Sequence, residues 1–149
     1  MIHGEMERLT VRARIDALEE FCAFVRRGAV ATDLSLEEIN KLDLVLEELF
    51  VNIARHAYAP EGGDVEVGYA VDGRGRLLVE ISDYGRAFDP LASDPPDFSR
   101  GLAERPLGGM GIFLIKAMTE SMRYERAGNR NTLSFVFRGD CLAGLNDIF

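Results

Sequence analysis

Residues 41–58 read KLDLVLEELFVNIARHAY, and they combine an apolar stripe with a row of polar side chains. At about 100° per residue, the apolar positions fall on one side of a helix. They are Leu42, Val45, Leu46, Leu49 and Ile53. Glu48, Asn52 and His56 follow at intervals of four residues and form one row along the edge of that stripe. The stretch therefore predicts a helix with one buried side and a polar row at the boundary.

The polar row has two interpretations. A carboxylate, an amide and an imidazole at the edge of a core need partners, because unsatisfied buried polar groups lower stability. In the first interpretation, the three side chains cap neighbouring backbone groups. In the second, the carboxylate and amide oxygens help to hold a hydrated divalent cation, since these are ligands that suit Mg²⁺. The helix alone does not decide between them.

The residues before this stretch predict a strand and two helix starts. Residues 6–12, MERLTVR, can begin a strand. Residues 13–30 then carry apolar side chains at three- and four-residue spacing, which predicts an amphipathic helix that stops near Gly28. Those side chains are Ile15, Leu18, Phe21, Cys22 and Val25. Ser35 followed by Glu38 fits a capping box, so the second helix begins there and runs to about Tyr58.

The residues after the stretch predict two hairpins. VEVGYAV and RLLVEIS, residues 65–71 and 76–82, read as strands joined by a glycine-rich turn. Two more strands are expected around MRYER and TLSFVF, turned by AGNRN. Between the hairpins, residues 89–107 hold four of the five prolines and show no period, which is typical of a functional lid or of disorder. A helix, GIFLIKAM, follows at 111–118.

This order of elements predicts an α+β protein. Runs of strands separated by helices favour a two-layer sandwich, with helices on one face of a mostly antiparallel, mixed sheet. At 149 residues, the chain is one domain by its length, 1–149.

Charge and composition limit the classes of function. The net charge is −8 and no basic cluster offsets it, which argues against direct binding to nucleic acid or to an anionic membrane. No apolar run approaches the ~20 residues that span a bilayer. Residues 1–10 lack the pattern of a signal peptide, so a cytoplasmic protein is expected. Cys22 and Cys141 lie far apart, and reduced thiols are favoured over a disulfide.

A strand ends within ISDYGRAFDP, residues 81–90. Asp83, at the end of that apolar strand, is suited to accept a hydrogen bond from an exocyclic amine such as that of adenine. Gly85 permits a tight turn or a close approach of a ligand to the backbone, and Ala87 keeps the next side chain small. The alternative is an ordinary turn that ends a strand.

Three glycines crowd the start of an apolar helix in LGGMGIFLIKAM, residues 107–118; they are Gly108, Gly109 and Gly111. Glycine disfavours helix, but the unpaired N–H groups at a helix N-terminus can bind an anion. The spacing is neither the Walker nor the Rossmann pattern. Taken alone, a phosphate cradle and a glycine loop that enters a buried helix are equal alternatives.

In order and spacing, these three motifs resemble the GHKL (Bergerat-fold) ATP-binding family. EELFVNIARHAY resembles its N box, DYGRAF its first glycine motif and GGMGI its second. Within the family, the sequence is most similar to the anti-sigma-factor serine/threonine kinases of the RsbW/SpoIIAB type, over roughly residues 6–138. The resemblance implies the Bergerat fold, ATP and Mg²⁺ as cofactors, and a lid at about 89–107.

The resemblance also implies roles for the matched residues. Asn52 is expected to coordinate Mg²⁺, Glu48 to be the candidate general base, and Asp83 to receive the adenine amino group. The remaining expected contacts are Gly85 and Ala87 beside the base, Gly108, Gly109 and Gly111 along the triphosphate, Thr132 in support of the adenine pocket, and Arg100 and Arg105 toward terminal phosphate oxygens or a partner.

Partners follow from the same resemblance. An enzyme of this type phosphorylates a serine of a STAS-type anti-anti-sigma protein and sequesters a sigma factor. Family members are commonly homodimers, so a second copy of the chain is a further expected partner. The alternative function is a non-catalytic module that switches partners in a nucleotide-dependent way. Retention of Glu48 together with Asn52 favours the enzyme.

Overall fold

The computed structural model describes residues 6–58, 62–87, 116, 117 and 119–137. The described elements are β1 (Glu7–Arg12), a 3₁₀ turn (Ile15–Ala17), α1 (Leu18–Ala29), α2 (Leu36–Asn52), a π-helical turn (Ile53–Ala57), β2 (Asp64–Val71), β3 (Leu77–Asp83), β4 (Thr119–Ala127) and β5 (Arg130–Phe137). Neither of the two described helices is long and apolar enough to cross a bilayer. The predicted lid, 89–107, and all but two residues of the predicted helix at 111–118 lie outside the described residues.

The five strands form one sheet in the order β1-β2-β3-β5-β4. Every strand pairing in the described part of the chain is antiparallel, and the register slips once, between Thr119 and Ser121 of β4. Gly128 turns the β4–β5 hairpin with a φ of 61°, a conformation that favours glycine. The predicted α+β class and both predicted hairpins are confirmed.

The helices cover one face of the sheet. Alternate side chains of β3 and β5 are buried against them, as the period-2 pattern predicts. These are Leu77, Val79 and Ile81 in β3, and Leu133, Phe135 and Phe137 in β5. Phe21 of α1 meets Phe50 of α2 with ring centroids 4.8 Å apart, so the two helices share one core.

Helix α1 approaches β2 closely at Gly28. A Cβ atom at this position would overlap the ring of Tyr69, so glycine is what allows the contact. Helix α1 ends at Ala29, directly after Gly28, as the predicted stop near Gly28 requires. Ile15 precedes α1 and is 53% exposed, so it does not join the core stripe of this helix.

The other face of the sheet is polar. Arg8 pairs with Glu66 at 3.2 Å and with Glu80 at 3.3 Å, and Arg130 pairs with Glu66 at 3.0 Å. These groups extend across β1, β2, β3 and β5. Any cavity that needs apolar walls therefore forms on the helix-covered face.

The start of α2 confirms the predicted capping box. Glu38 N–H donates to Ser35 Oγ at 3.1 Å, and Ser35 N–H donates to Glu38 Oε1 at 2.8 Å. The predicted end near Tyr58 is reached through the π-helical turn rather than by regular α-helix. A π-helical turn inside or after an α-helix often marks a functional site.

Cys22 is a free thiol buried in α1. Burial raises the pKa of this thiol to about 12, with Asp43 adding to the effect. A buried thiol with so high a pKa is unreactive. Cys141 lies outside the described residues.

Candidate functional site

A cavity lies between the C-terminal end of α2, the end of β3 and the start of β5. Its volume is about 530 Å³, counting the part that is open to solvent. Small-molecule sites combine apolar walls with a few polar groups, and this cavity has that composition. The walls here are Leu49, Ile53, Ala57, Ile81, Tyr124 and Leu133, and the polar groups are Asn52, His56, Asp83, Arg86 and Asn131.

Asn52 and His56 enter the cavity from the end of α2. Neither side chain makes a hydrogen bond to another described residue. The interpretation in which the polar row caps neighbouring backbone therefore finds no such bond in the described part of the chain. Polar groups that line an apolar cavity without protein partners are available to a ligand.

Glu48 lies one turn before Asn52 on the same row, but it does not line the cavity. Its Oε1 atom is buried and has no hydrogen-bond partner among the described residues. Burial raises the pKa of the Glu48 carboxyl, the nearby Glu47 raises it further, and Arg55 opposes both. An unpartnered carboxylate with a raised pKa is a candidate for proton transfer.

Asp83 is buried at the end of β3 and faces the cavity. Its Oδ1 atom accepts Gly85 N–H at 2.9 Å and Asn131 Nδ2–H at 2.9 Å. The first of these bonds is the ordinary turn that the sequence left as an alternative, and it coexists with the cavity position. Both recorded bonds use Oδ1, so Oδ2 is the oxygen that remains for a ligand donor.

Gly85 lies in the tight turn that the sequence predicts as one of two interpretations. A Cβ atom at Gly85 would overlap the carbonyl group of Ala57, and Gly85 does not border this cavity. Arg86 N–H donates to the same Ala57 carbonyl at 2.8 Å. The structure thus shows a close approach of Gly85 to the protein's own helix end, and its expected place beside the base stays a prediction. Ala87 is exposed and also lies outside the cavity lining.

The expectation for Thr132 requires a correction. Its side chain lies on the polar face of the sheet, with Oγ1 3.1 Å from Ser82 Oγ, and it does not line the cavity. Because side chains alternate along a strand, the preceding residue, Asn131, points to the helix-covered face. Asn131 is opposite Asp83 in the β3–β5 pairing. Counting back two residues from buried Leu133 identifies the same position.

Two more residues support the site, and the sequence pattern did not identify them. Tyr124 donates its hydroxyl to Asn131 Oδ1 at 2.5 Å. Arg126 Nη1 donates to Gly85 O at 2.7 Å and to Asn131 Oδ1 at 3.1 Å. Both residues reach the site only through the β4–β5 register, which local sequence does not specify.

The expected phosphate side of the site lies outside the described residues. This applies to Gly108, Gly109 and Gly111, and to Arg100 and Arg105. Within the described residues, no three His, Cys, Asp or Glu side chains are grouped so that they could hold a metal ion.

Residues 11–137 match the Histidine kinase-like ATPase domain family. The chain belongs to this family. Curated relatives of this ATPase domain include an anti-sigma F factor from Clostridium acetobutylicum, 26% identical over 67% of this chain and 69% of the relative. The serine-protein kinase RsbW from Halalkalibacterium halodurans is 26% identical over 78% of this chain and 75% of the relative. The serine/threonine-protein kinase BtrW from Bordetella bronchiseptica is 29% identical over 64% of this chain and 67% of the relative.

Solved structures share the fold of this ATPase domain. The RsbU and RsbW domains of a Mycobacterium tuberculosis protein align with a TM-score of 0.61 at 18% identity, covering 91% of this chain and 32% of that structure. A histidine kinase domain from Erythrobacter litoralis aligns with a TM-score of 0.55 at 18% identity, covering 86% and 64%. This domain thus spans about a third of the first of these chains.

Proposed function

We propose that the protein is an ATP-dependent serine kinase that phosphorylates a STAS-type anti-anti-sigma partner and sequesters a sigma factor. One observation carries the proposal: Asp83 of β3 and Asn52 of α2 face a single cavity with apolar walls. The motif match assigns these two residues to the two ends of ATP, its base and its metal-bound phosphates. The names of the curated relatives support the kinase and anti-sigma activities.

The base end of the cavity is proposed to hold the adenine ring. Leu49, Ile81 and Leu133 provide apolar walls for the faces of the base. A carboxylate only accepts hydrogen bonds, so Asp83 requires a donor on the ligand. The exocyclic amine of adenine is such a donor.

The residues present also fit Mg²⁺ bound through phosphates. Mg²⁺ in nucleotide sites takes one or two protein oxygens and fills its remaining positions with phosphate and water. The amide oxygen of Asn52 would supply one such ligand, and no larger protein cluster exists among the described residues. When bound, the ion neutralises charge on the phosphates.

Glu48 is proposed to accept the proton in phosphoryl transfer. The serine oxygen of the partner forms a bond to the γ-phosphorus, the bond to the β–γ bridging oxygen breaks, and ADP leaves. The hydroxyl proton passes to the Glu48 carboxylate, whose Oε1 accepts no hydrogen bond from the described part of the chain. Most of the rate enhancement in such reactions comes from positioning and charge stabilisation.

The remaining parts of the proposal rest on the motif match. Gly108, Gly109 and Gly111 are proposed to cradle the triphosphate. Arg100 and Arg105 are proposed to contact terminal phosphates or the partner. The protein is proposed to act in the cytoplasm, and also to form a homodimer.

A transfer assay tests the proposed function. Full-length protein, Mg²⁺ and ATP radiolabelled at the γ position are mixed with the STAS-domain protein encoded beside its gene, and label on that protein is measured. We expect wild type to label the partner and Glu48→Gln to fail while still binding ATP. If wild type binds ATP but transfers no label, the non-catalytic switching module is the correct function. If wild type does not bind ATP, both are wrong.

A further inference from the structure

We propose that Asn131 orients Asp83 so that the cavity accepts a base with an N–H donor and rejects one with a carbonyl in the same place. The inference rests on the proposed ATP binding and adds a residue that sets base specificity. Asn131 is 5% exposed and is the direct cross-strand neighbour of Asp83.

The orientation of the Asn131 amide is fixed by its neighbours. Its oxygen accepts the Tyr124 hydroxyl at 2.5 Å and Arg126 Nη1 at 3.1 Å. A guanidinium group donates and cannot accept, so the oxygen and not the nitrogen must face Arg126. The amide nitrogen is thereby turned toward Asp83 Oδ1, at 2.9 Å, and Arg86 O, at 2.8 Å.

This arrangement determines what Asp83 offers to a ligand. Oδ1 already receives two N–H groups, from Gly85 and from Asn131, at 2.9 Å each. Among the described residues no group donates to Oδ2, so one oxygen of this cavity-lining carboxylate remains to accept from a ligand. A ligand amine satisfies that acceptor, whereas a ligand carbonyl would face it as a second acceptor and leave both unsatisfied.

An amide is the side chain that this position requires. A hydroxyl group rotates and can either donate or accept, so serine or threonine would not fix the direction of the bond. A carboxylate would place a second negative charge beside Asp83. Asn131 donates without adding charge, and its second N–H also holds the turn after β3 through Arg86 O.

Calorimetric titration with ATP and with GTP tests the inference. We expect wild type to bind ATP more tightly than GTP. The Asn131→Ala variant should lose roughly ten- to hundredfold in ATP affinity, which is the effect of losing one hydrogen bond to a charged group. Its GTP affinity should change less. The double variant Tyr124→Phe/Arg126→Met keeps Asn131 but releases its amide, so the ATP/GTP preference should also fall. Ser134→Ala, on the polar face of β5, is the matched control and should retain the wild-type preference.

The possible results separate the role of Asn131 from the proposed binding of ATP. An unchanged ATP/GTP preference in a folded Asn131→Ala or double variant overturns the role of Asn131 and leaves ATP binding intact. Should Asn131→Ala fail to fold, the double variant decides alone, because both of its changes lie on β4 and leave the β3–β5 pair in place. Failure of wild type to bind ATP overturns the proposed function together with this inference.

Discussion

Gly85 lies directly against the carbonyl group of Ala57, where the turn after β3 meets the π-helical end of α2. The Arg86 N–H bond to the same carbonyl, at 2.8 Å, fastens the two segments together. Asn52 and Asp83 line the cavity and directly precede these two segments, as the last residues of α2 and of β3. The distance between Asn52 and Asp83 therefore depends on the contact between Gly85 and Ala57.

Gly85→Ala tests this contact. The added methyl group must displace backbone, so we expect a loss of about 1–3 kcal/mol in the free energy of unfolding. ATP affinity should fall as well, because Asn52 and Asp83 are moved apart. Thermal melts and titration calorimetry give the two quantities. Gly73→Ala is the control, since a Cβ there meets nothing within 4 Å and should change stability little. Wild-type stability and affinity in Gly85→Ala would contradict the coupling.

Glu48→Gln is expected to raise stability at neutral pH. The pKa of Glu48 is raised in the folded state by burial, from a model-compound value of 4.5. As the pH rises from about 4.5 through the folded pKa, the unfolded chain loses this proton first, so stability falls over that window. Glutamine removes the effect. Denaturant unfolding at pH 7 should show a higher midpoint for Glu48→Gln, while Glu20→Gln, at an exposed glutamate of α1, should show no comparable gain.

The same raised pKa of Glu48 predicts where the rate of the kinase reaction falls on the acid side of its pH profile. Glu48 must be ionised to accept a proton, so transfer should fail as the pH drops through a value above that of an ordinary glutamate. Single-turnover transfer measured between pH 4.5 and 8 gives this limb. An acid limb at the ordinary glutamate value would argue against Glu48 as the base.

Asn52→Ala is expected to remove the benefit of Mg²⁺ to ATP binding. Loss of its amide oxygen should lower the affinity for ATP in the presence of Mg²⁺ by about tenfold or more. Changes of this size follow when residues that support a bound metal are removed. With EDTA present, the variant and wild type should bind alike. Asn40→Ala, exposed on the same helix, is the matched control. An equal loss with and without Mg²⁺ would mean that Asn52 acts on the nucleotide directly.

Thr132→Val is expected to leave ATP binding nearly unchanged, in contrast to Asn131→Ala. Thr132 contacts Ser82 on the polar face, away from the cavity. Replacing a hydroxyl in a half-buried pair usually changes stability by about 1 kcal/mol. Titration calorimetry of the two single variants separates the adjacent positions. A greater loss of ATP affinity in Thr132→Val would restore the original sequence assignment.

The period of the sequence was enough to predict most of the described fold. The alternation in β3 and β5 and the capping box at Ser35 are local features, and the structure confirms each of them. The same alternation, counted from Leu133, points to Asn131, but the local motif favoured Thr132. The contact between Gly85 and Ala57 joins a turn to a distant helix end, so no local pattern contains it.

The pairing of Asp83 with Asn131 has a consequence for folding. The two residues are 48 positions apart and meet only when β5 has added to β3. Contacts between such distant segments close large loops and form late. The binding site is thus absent from either hairpin alone and exists only in the completed sheet. A bound nucleotide would stabilise the pairing of β3 with β5 by mass action. This pairing should therefore unfold more slowly as the nucleotide concentration rises.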